Sequence, residues 1–326
     1  MFPTLRYWLV AVQAVFVLGL AAISSRPIPF EFSRPMIAAL MIWAAGFLFL
    51  LVRTAISSVR IDRPLTSLVI GIKGETKTLS RAFGYALLLG LAMALHGWAK
   101  TMIPNAGGYW ADPMLANFDR ALFGQDPWHL FKLAGLSPLF AKIYVSWFPV
   151  TFGMMGLLAF SKRDHGVLMT AFLAILIIVG TIGQYVLPSA GPIFYERLGL
   201  GPRFDELIAT TDPSVTFLAD YLWRNFESGG ANLGTGISAM PSMHVTLAVW
   251  TMFAARAFWR PLTIPAAAYA LVIYVTSVAS GWHYATDGIV GAALATAIYA
   301  WLARRARQSP EQAAGPAESQ PVGAMA

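Results

Sequence analysis

Eight runs of mostly apolar residues dominate this chain, and each is close to the ~20 residues an α-helix needs to cross a bilayer. They fall at about 7–24, 35–52, 82–103, 139–160, 167–187, 242–258, 262–280 and 285–303. Composition agrees: of 326 residues, 57% are hydrophobic and 12% charged, about half the charged share of a soluble domain. The expected fold is all-α, a polytopic transmembrane helix bundle of about eight spans. Arg6 ahead of an apolar run that ends in small residues also fits a signal peptide or signal anchor. The length of the run and the lack of a clear cleavage site favour a retained helix.

The loops orient the bundle, because Lys and Arg near span ends stay on the cytoplasmic side. The segment 53–81 carries Arg53, Arg60, Arg63, Lys73, Lys77 and Arg81 against Asp62 and Glu75. Lys162–Arg163, Arg256 with Arg260, and Arg304, Arg305 and Arg307 mark the other cytoplasmic ends. The long loops 104–138 and 188–241 are net acidic, the second with six carboxylates against three arginines. Only the short loop with Arg26, Glu31 and Arg34 departs from the pattern. This alternation places both termini in the cytoplasm and the long loops outside. The net charge of +7 is spread between apolar segments, not over one soluble face, so no nucleic-acid partner is expected. The absence of cysteine excludes disulfides, thiolate metal sites and a cysteine nucleophile.

Long loops are usually functional or disordered. In 212–227, Asp212 or Ser214 can cap a helix in which Val215, Leu218, Leu222 and Phe226 recur at helical spacing. The segment 117–134 suits an interfacial position. Both fit either packing on the bundle or a lid over a substrate. The tail after Arg307, rich in Ala, Pro, Gln and Gly, reads as disordered.

Two short segments carry the chemistry. Ala239-Met240-Pro241-Ser242-Met243-His244 opens the sixth span, and Gly281-Trp282-His283-Tyr284-Ala285-Thr286-Asp287-Gly288 opens the eighth. Ionisable residues at membrane depth are costly and are functional candidates. His244 and His283 are 39 positions apart, about two membrane crossings at 1.5 Å per residue, so both reach the same outer rim. Asp287, four residues after His283, shares its helical face and is placed to fix its tautomer. Pro241 suits the first turn of a helix, where Ser242 and free amides would cradle a phosphate. Two histidines, one oriented by a carboxylate, beside an anion site form a phosphoryl-transfer constellation. His283 is the nucleophile and His244 the acid for the leaving group. The same His/Asp set could instead bind zinc or relay protons in a transporter. Clustering at one rim, away from the midplane, argues against the transporter. His96, His129 and His165 read as structural, hydrogen-bonded residues.

Pro241-Ser242-Met243-His244 resembles the PSGH motif of the type 2 phosphatidic acid phosphatase superfamily, and His283-x-x-x-Asp287 resembles the end of its SRxxxxxHxxxD motif. With Phe118-Asp119, Leu122-Phe123-Gly124 and Tyr185-x-x-Pro188-Ser189-Ala190, the chain is similar to the branch of fungal inositol phosphorylceramide synthases and related bacterial membrane proteins. The resemblance covers roughly 80–303. It implies a six-helix core, a phosphohistidine on His283, His244 as acid, Asp287 orienting His283, and no metal or other cofactor. The chain would then comprise two N-terminal helices and a basic loop (1–80), the catalytic core (81–305) and the tail (306–326). It would sit in a bacterial inner membrane with its site facing the periplasm, acting on a membrane lipid as phosphatase or phosphotransferase, an inositol phosphate headgroup being one candidate cargo. Neither the acceptor nor the oligomeric state follows from the sequence. Met243 replaces the glycine of PSGH, the Ser-Arg pair falls on Thr276-Ser277, and no clean KxxxxxxRP is present. The cations for phosphate must therefore come from elsewhere. By position the candidates are Lys100, Arg120, Lys142, Arg197 and Arg203, with Ser242 as a polar contact.

Overall fold

The computed structural model describes residues 2–24, 28–59, 63–131, 137–229 and 234–308, and among them no strand occurs. The helices in chain order are α1 (Phe2–Ile23), α2 (Ser33–Ser58), α3 (Pro64–Gly74), α4 (Thr76–Met102), α5 (Asp112–Phe123), α6 (Ser137–Val145) and α7 (Trp147–Ala159). They continue with α8 (Gly166–Ala174), α9 (Asp205–Thr210), α10 (Pro213–Glu227), α11 (Met243–Phe258), α12 (Thr263–Ala279) and α13 (Ala285–Arg307). α8 runs on into a π-helical stretch, Ile175–Ile182.

Among the described residues seven helical stretches are long and apolar enough to cross a membrane. They match seven of the eight expected spans. The eighth, expected at 242–258, is α11, with only 16 residues, about 24 Å at 1.5 Å per residue. Its bounds agree with the expected ones to one residue, Ser242 being its N-cap in extended conformation. Pro241 therefore precedes the helix and does not occupy its first turn. α11 packs on α7, α8, α12 and α13, with Trp250 fully buried. Enclosed by protein, it need not match the bilayer by its own length.

The N-terminal helices are keyed into this bundle. Arg6 on α1 donates to the Thr170 hydroxyl (2.7 Å) and the Gly166 carbonyl (3.0 Å) of α8. Gln13 donates to the Ala92 carbonyl and the Thr181 hydroxyl. The Arg6 guanidinium and the Gln13 amide nitrogen thus find distant partners, as a low-dielectric interior favours, while Gln13 Oε1 is buried without one among the described residues. α1 and α2 both pack on α4.

Loops gather at two ends. At one, Arg53 and Lys162 converge on Glu75 (3.3 and 3.1 Å), and Arg81 donates to the Ser161 carbonyl. At the other, the Ala111 amide donates to the Pro188 carbonyl and the Ala239 amide to that of Ser189. Trp98 reaches the Ile28 carbonyl. The basic segments thus share the first end and the acidic loops the second. α10 forms as its pattern indicates: Asp212 accepts from the Ser214 amide at 2.9 Å, and Val215 is buried while Leu222 and Phe226 pack on the same cluster. Of the segment 117–134, residues 132–134 lie outside the described residues, as does the tail from 309.

Candidate active site

α11 and α13 begin at the same rim, and their starts interlock. Ser242 N donates to the Asp287 carbonyl (3.0 Å). Helix crossing is close because Gly291 faces Ser242 and Thr246, where a Cβ would come within 2.4 Å of the Thr246 hydroxyl. Tyr284 is the N-cap of α13, and its amide donates to Asp287 Oδ2 at 2.9 Å. From α5, Asp119 accepts from the Ala285 and Thr286 amides (2.6 and 3.0 Å) and from the Thr286 hydroxyl. Carboxylates at a helix N-terminus satisfy the free donors and complement the dipole.

This scaffold sets the histidines. His283 Nδ1 lies 2.9 Å from the Ala239 carbonyl and 3.4 Å from Asp287 Oδ2. A carbonyl only accepts, so Nδ1 carries the proton and Nε2 the lone pair. The Ala239 carbonyl is thus the nearer acceptor for Nδ1, beside Asp287 Oδ2, which also accepts from the Tyr284 amide. His283 Nε2 is 3.5 Å from His244 Nδ1. His244 is stacked on Tyr144 (4.6 Å between centroids) and meets the edge of Trp147 (4.7 Å). Asp287 is fully buried, and its Oδ1 has no hydrogen-bond partner.

Both histidines line a cavity of about 410 Å³, within the usual range for small-molecule sites. Lys100 and His96 from α4, Tyr144 from α6, Leu218 and Leu222 from α10 and the 234–238 loop also line it. Lys100 makes no hydrogen bond or ion pair among the described residues. The Tyr144 hydroxyl and Ser238 Oγ are buried without partners. Gly236 takes a left-handed φ of 89°, and a Cβ there would lie 2.9 Å from Lys100 Cγ. Only glycine lets this loop close over the lysine.

Of the sequence candidates, the structure therefore brings together His244, His283, Asp287 and Lys100. Ser242 is fully buried, caps α11 through a 3.5 Å contact from the Val245 amide, and does not line the cavity. Arg203 clasps Asp126 (2.6 Å) and the Ala116 carbonyl (2.8 Å), and Arg120 also holds Asp126 (2.7 Å). Burial raises the Asp126 pKa, but these two guanidiniums outweigh it and hold the carboxyl below its usual range. Arg197 pairs with Asp220 and lies over Trp223. Lys142 is exposed on α6. None of these four lines the cavity.

Sequence reasoning missed Asp112, whose carboxylate accepts from the Ala190 and Gly191 amides (2.8 and 2.9 Å) and the Tyr284 hydroxyl (2.8 Å). Burial pushes its carboxyl up to about 6 against these bonds. It also missed His96, read as structural but lining the cavity, and Tyr144. Their signal was helical phase: His96 and Lys100 are four apart on one face of α4. Among the described residues no group of three His, Cys, Asp or Glu side chains is placed to hold a metal.

A model of the PAP2 superfamily matches residues 114–301, more than half of the chain and all of the His244, His283 and Asp287 cluster. The chain belongs to the PAP2 superfamily. Together with the seven apolar helices, membership supports an integral membrane protein with a phosphatase-type function on lipid phosphates. No curated protein and no solved structure matches the chain. Where the PAP2 PSGH motif has glycine, the Met243 side chain packs on Gly180 of the π-helical stretch, where a Cβ would meet its Cε at 2.9 Å. At the positions of the motif's Ser-Arg pair, Thr276 and Ser277 are both fully buried, and the Ser277 hydroxyl donates to the Tyr274 carbonyl.

Proposed function

We propose that this PAP2 protein cleaves a lipid phosphate ester through a phosphohistidine on His283. The observation that carries the reading is the pair of histidines with nitrogens 3.5 Å apart in a cavity that also holds an unpaired lysine. His283 Nε2 attacks phosphorus, the P–N bond forms and the P–O ester bond breaks. The leaving alkoxide takes a proton from His244. Water or an acceptor hydroxyl then gives its proton to His244 and attacks phosphorus, and the P–N bond breaks. Lys100, with the Tyr144 and Ser238 hydroxyls, neutralises the phosphoryl oxygens in place of the motif arginine that this chain lacks. The buried Asp287 carboxylate, one oxygen unpaired, stabilises the positive charge that His283 gains on phosphorylation.

The steps use only side-chain chemistry, so chelators should leave turnover unchanged and vanadate should inhibit it. Loss of activity on chelation, restored by zinc, would favour a metal mechanism. Transfer of a headgroup such as inositol phosphate to a lipid or sugar hydroxyl uses the same intermediate as hydrolysis. Mass spectrometry of products from labelled lipid phosphates, with and without acceptor alcohols, separates them. Turnover of none would overturn the reading. We further propose that the site faces the periplasm of a bacterial inner membrane and that both termini are cytoplasmic, because the basic loops gather at the end opposite the histidines. In the cysteine-free chain, Ser228→Cys should react with an impermeant maleimide in intact cells and Gln308→Cys should not. The reverse pattern would invert the orientation.

A further inference from the structure

The cavity does not end at the histidines. It continues between α2, α4 and α7, past Ala38, Met93, Phe148 and Phe152, to Ala39, Ile42 and Leu89. Those last three residues also line a separate void of about 20 Å³ on the far side, so they form a floor. Leu89 precedes His96 by seven residues on α4, about 10 Å at 1.5 Å per residue. One end of the cavity therefore carries Lys100 and three histidines, with Glu31, whose carboxylate accepts from the Ser33 hydroxyl, in the loop before α2, and the other is an apolar extension among membrane-spanning helices.

We propose that this extension is an alkyl-chain slot. One hydrocarbon chain of the phosphate ester lies between α2, α4 and α7 while its phosphate sits at His283, and the Ala39, Ile42 and Leu89 floor sets the preferred chain length. The proposal rests on the phosphate-ester reading above. Two observations select the occupant. The slot is continuous with an unpaired cation, so its ligand is anionic at one end. Its walls carry no polar side chain below His96, so the other end is apolar. α2 and α4 precede the segment matched to the PAP2 superfamily, so chain selection is assigned to a part of this protein outside that match.

The test uses the full-length protein in nanodiscs and a series of n-alkylphosphonates, whose C–P bond is not cleaved by this chemistry, with affinity measured by competition. Each added methylene should tighten binding about fourfold until the chain meets the floor, after which affinity should level off. Ile42→Ala opens the floor toward the void and should move the plateau to longer chains. Ala39→Phe fills the slot and should move it to shorter ones. Should Ala39→Phe fail to fold, Ile42→Ala alone decides. Affinity independent of chain length, or a plateau that Ile42→Ala leaves in place, overturns the slot, and the reaction stands if the wild type turns over lipid phosphates. Chain-length-dependent binding with a moved plateau and no turnover of any phosphate ester supports the slot and removes the reaction.

Discussion

The two sides of the α13 N-terminus treat charge in opposite ways. On the side of the outer loops every buried carboxylate is matched: Asp119 by two amides and a hydroxyl, Asp112 by two amides and a tyrosine, and Asp126 by two arginines. On the cavity side, Lys100, the Tyr144 hydroxyl and Ser238 Oγ have no partners among the described residues. Unmatched buried polar groups cost about 1–3 kcal/mol each, so folding alone does not explain them. On the proposed function the first side is scaffold, and the second receives a ligand that brings the missing partners.

Substitutions can break this contrast, since scaffold residues should move stability and cavity residues turnover. The largest effect is expected for Lys100→Met, which removes the cation at the phosphoryl oxygens. kcat/KM should fall about 10²–10³-fold with the melting temperature unchanged or raised. A lowered melting temperature with unaltered turnover of the folded fraction would return Lys100 to the scaffold.

Asp112 gives a pH signature on the other side. Its carboxyl is raised to about 6 by burial, so the folded state holds the proton more tightly than the unfolded chain. Its contribution to stability is then greatest near pH 4 and declines as pH rises through 6. Relative to Asp112→Asn, wild type should lose about 2 kcal/mol between pH 4 and pH 6. Thermal melts that run parallel across this range would contradict the burial argument.

Arg203→Ala frees Asp126 from its closest partner and should cost about 2 kcal/mol of stability, with kcat/KM of the folded protein within about threefold of wild type. A large loss of kcat/KM at unchanged stability would make Arg203 a phosphate ligand after all. The smallest effect is expected for Tyr144→Phe. Loss of one neutral hydrogen bond to the substrate should raise KM roughly fivefold and leave the fold at least as stable, because an unpartnered hydroxyl is removed. A destabilised variant would show that the hydroxyl serves the scaffold.

The helices and the histidine pair were legible in the sequence because they depend on local or regular features. Apolar runs mark spans, and two crossings return His283 to the level of His244. Asp212 and the spacing after it marked α10 for the same reason. The cation was not legible, because five candidates looked alike as residues near span ends. What separates Lys100 from Arg203 is that Asp126, 77 positions from Arg203, folds back to claim it. Asp112 went unnoticed, and Asp119 was noted only for its likeness to a family motif, because their partners lie 78 and 166 positions away. The length of α11 was legible too, since the apolar run at 242–258 matches the helix to one residue; that Pro241 stands outside it was not, because hydrophobicity does not register the turn at Ala239–Ser242.

The most direct test of the chemistry is to trap the enzyme with a lipid phosphate labelled at phosphorus and to map the label by mass spectrometry after rapid quenching under alkaline conditions. An acid-labile phosphoryl group on His283, lost in His283→Ala together with at least about 10³-fold of turnover, is the expected result. Label on another residue, or His283→Ala retaining turnover within tenfold of wild type, would contradict it.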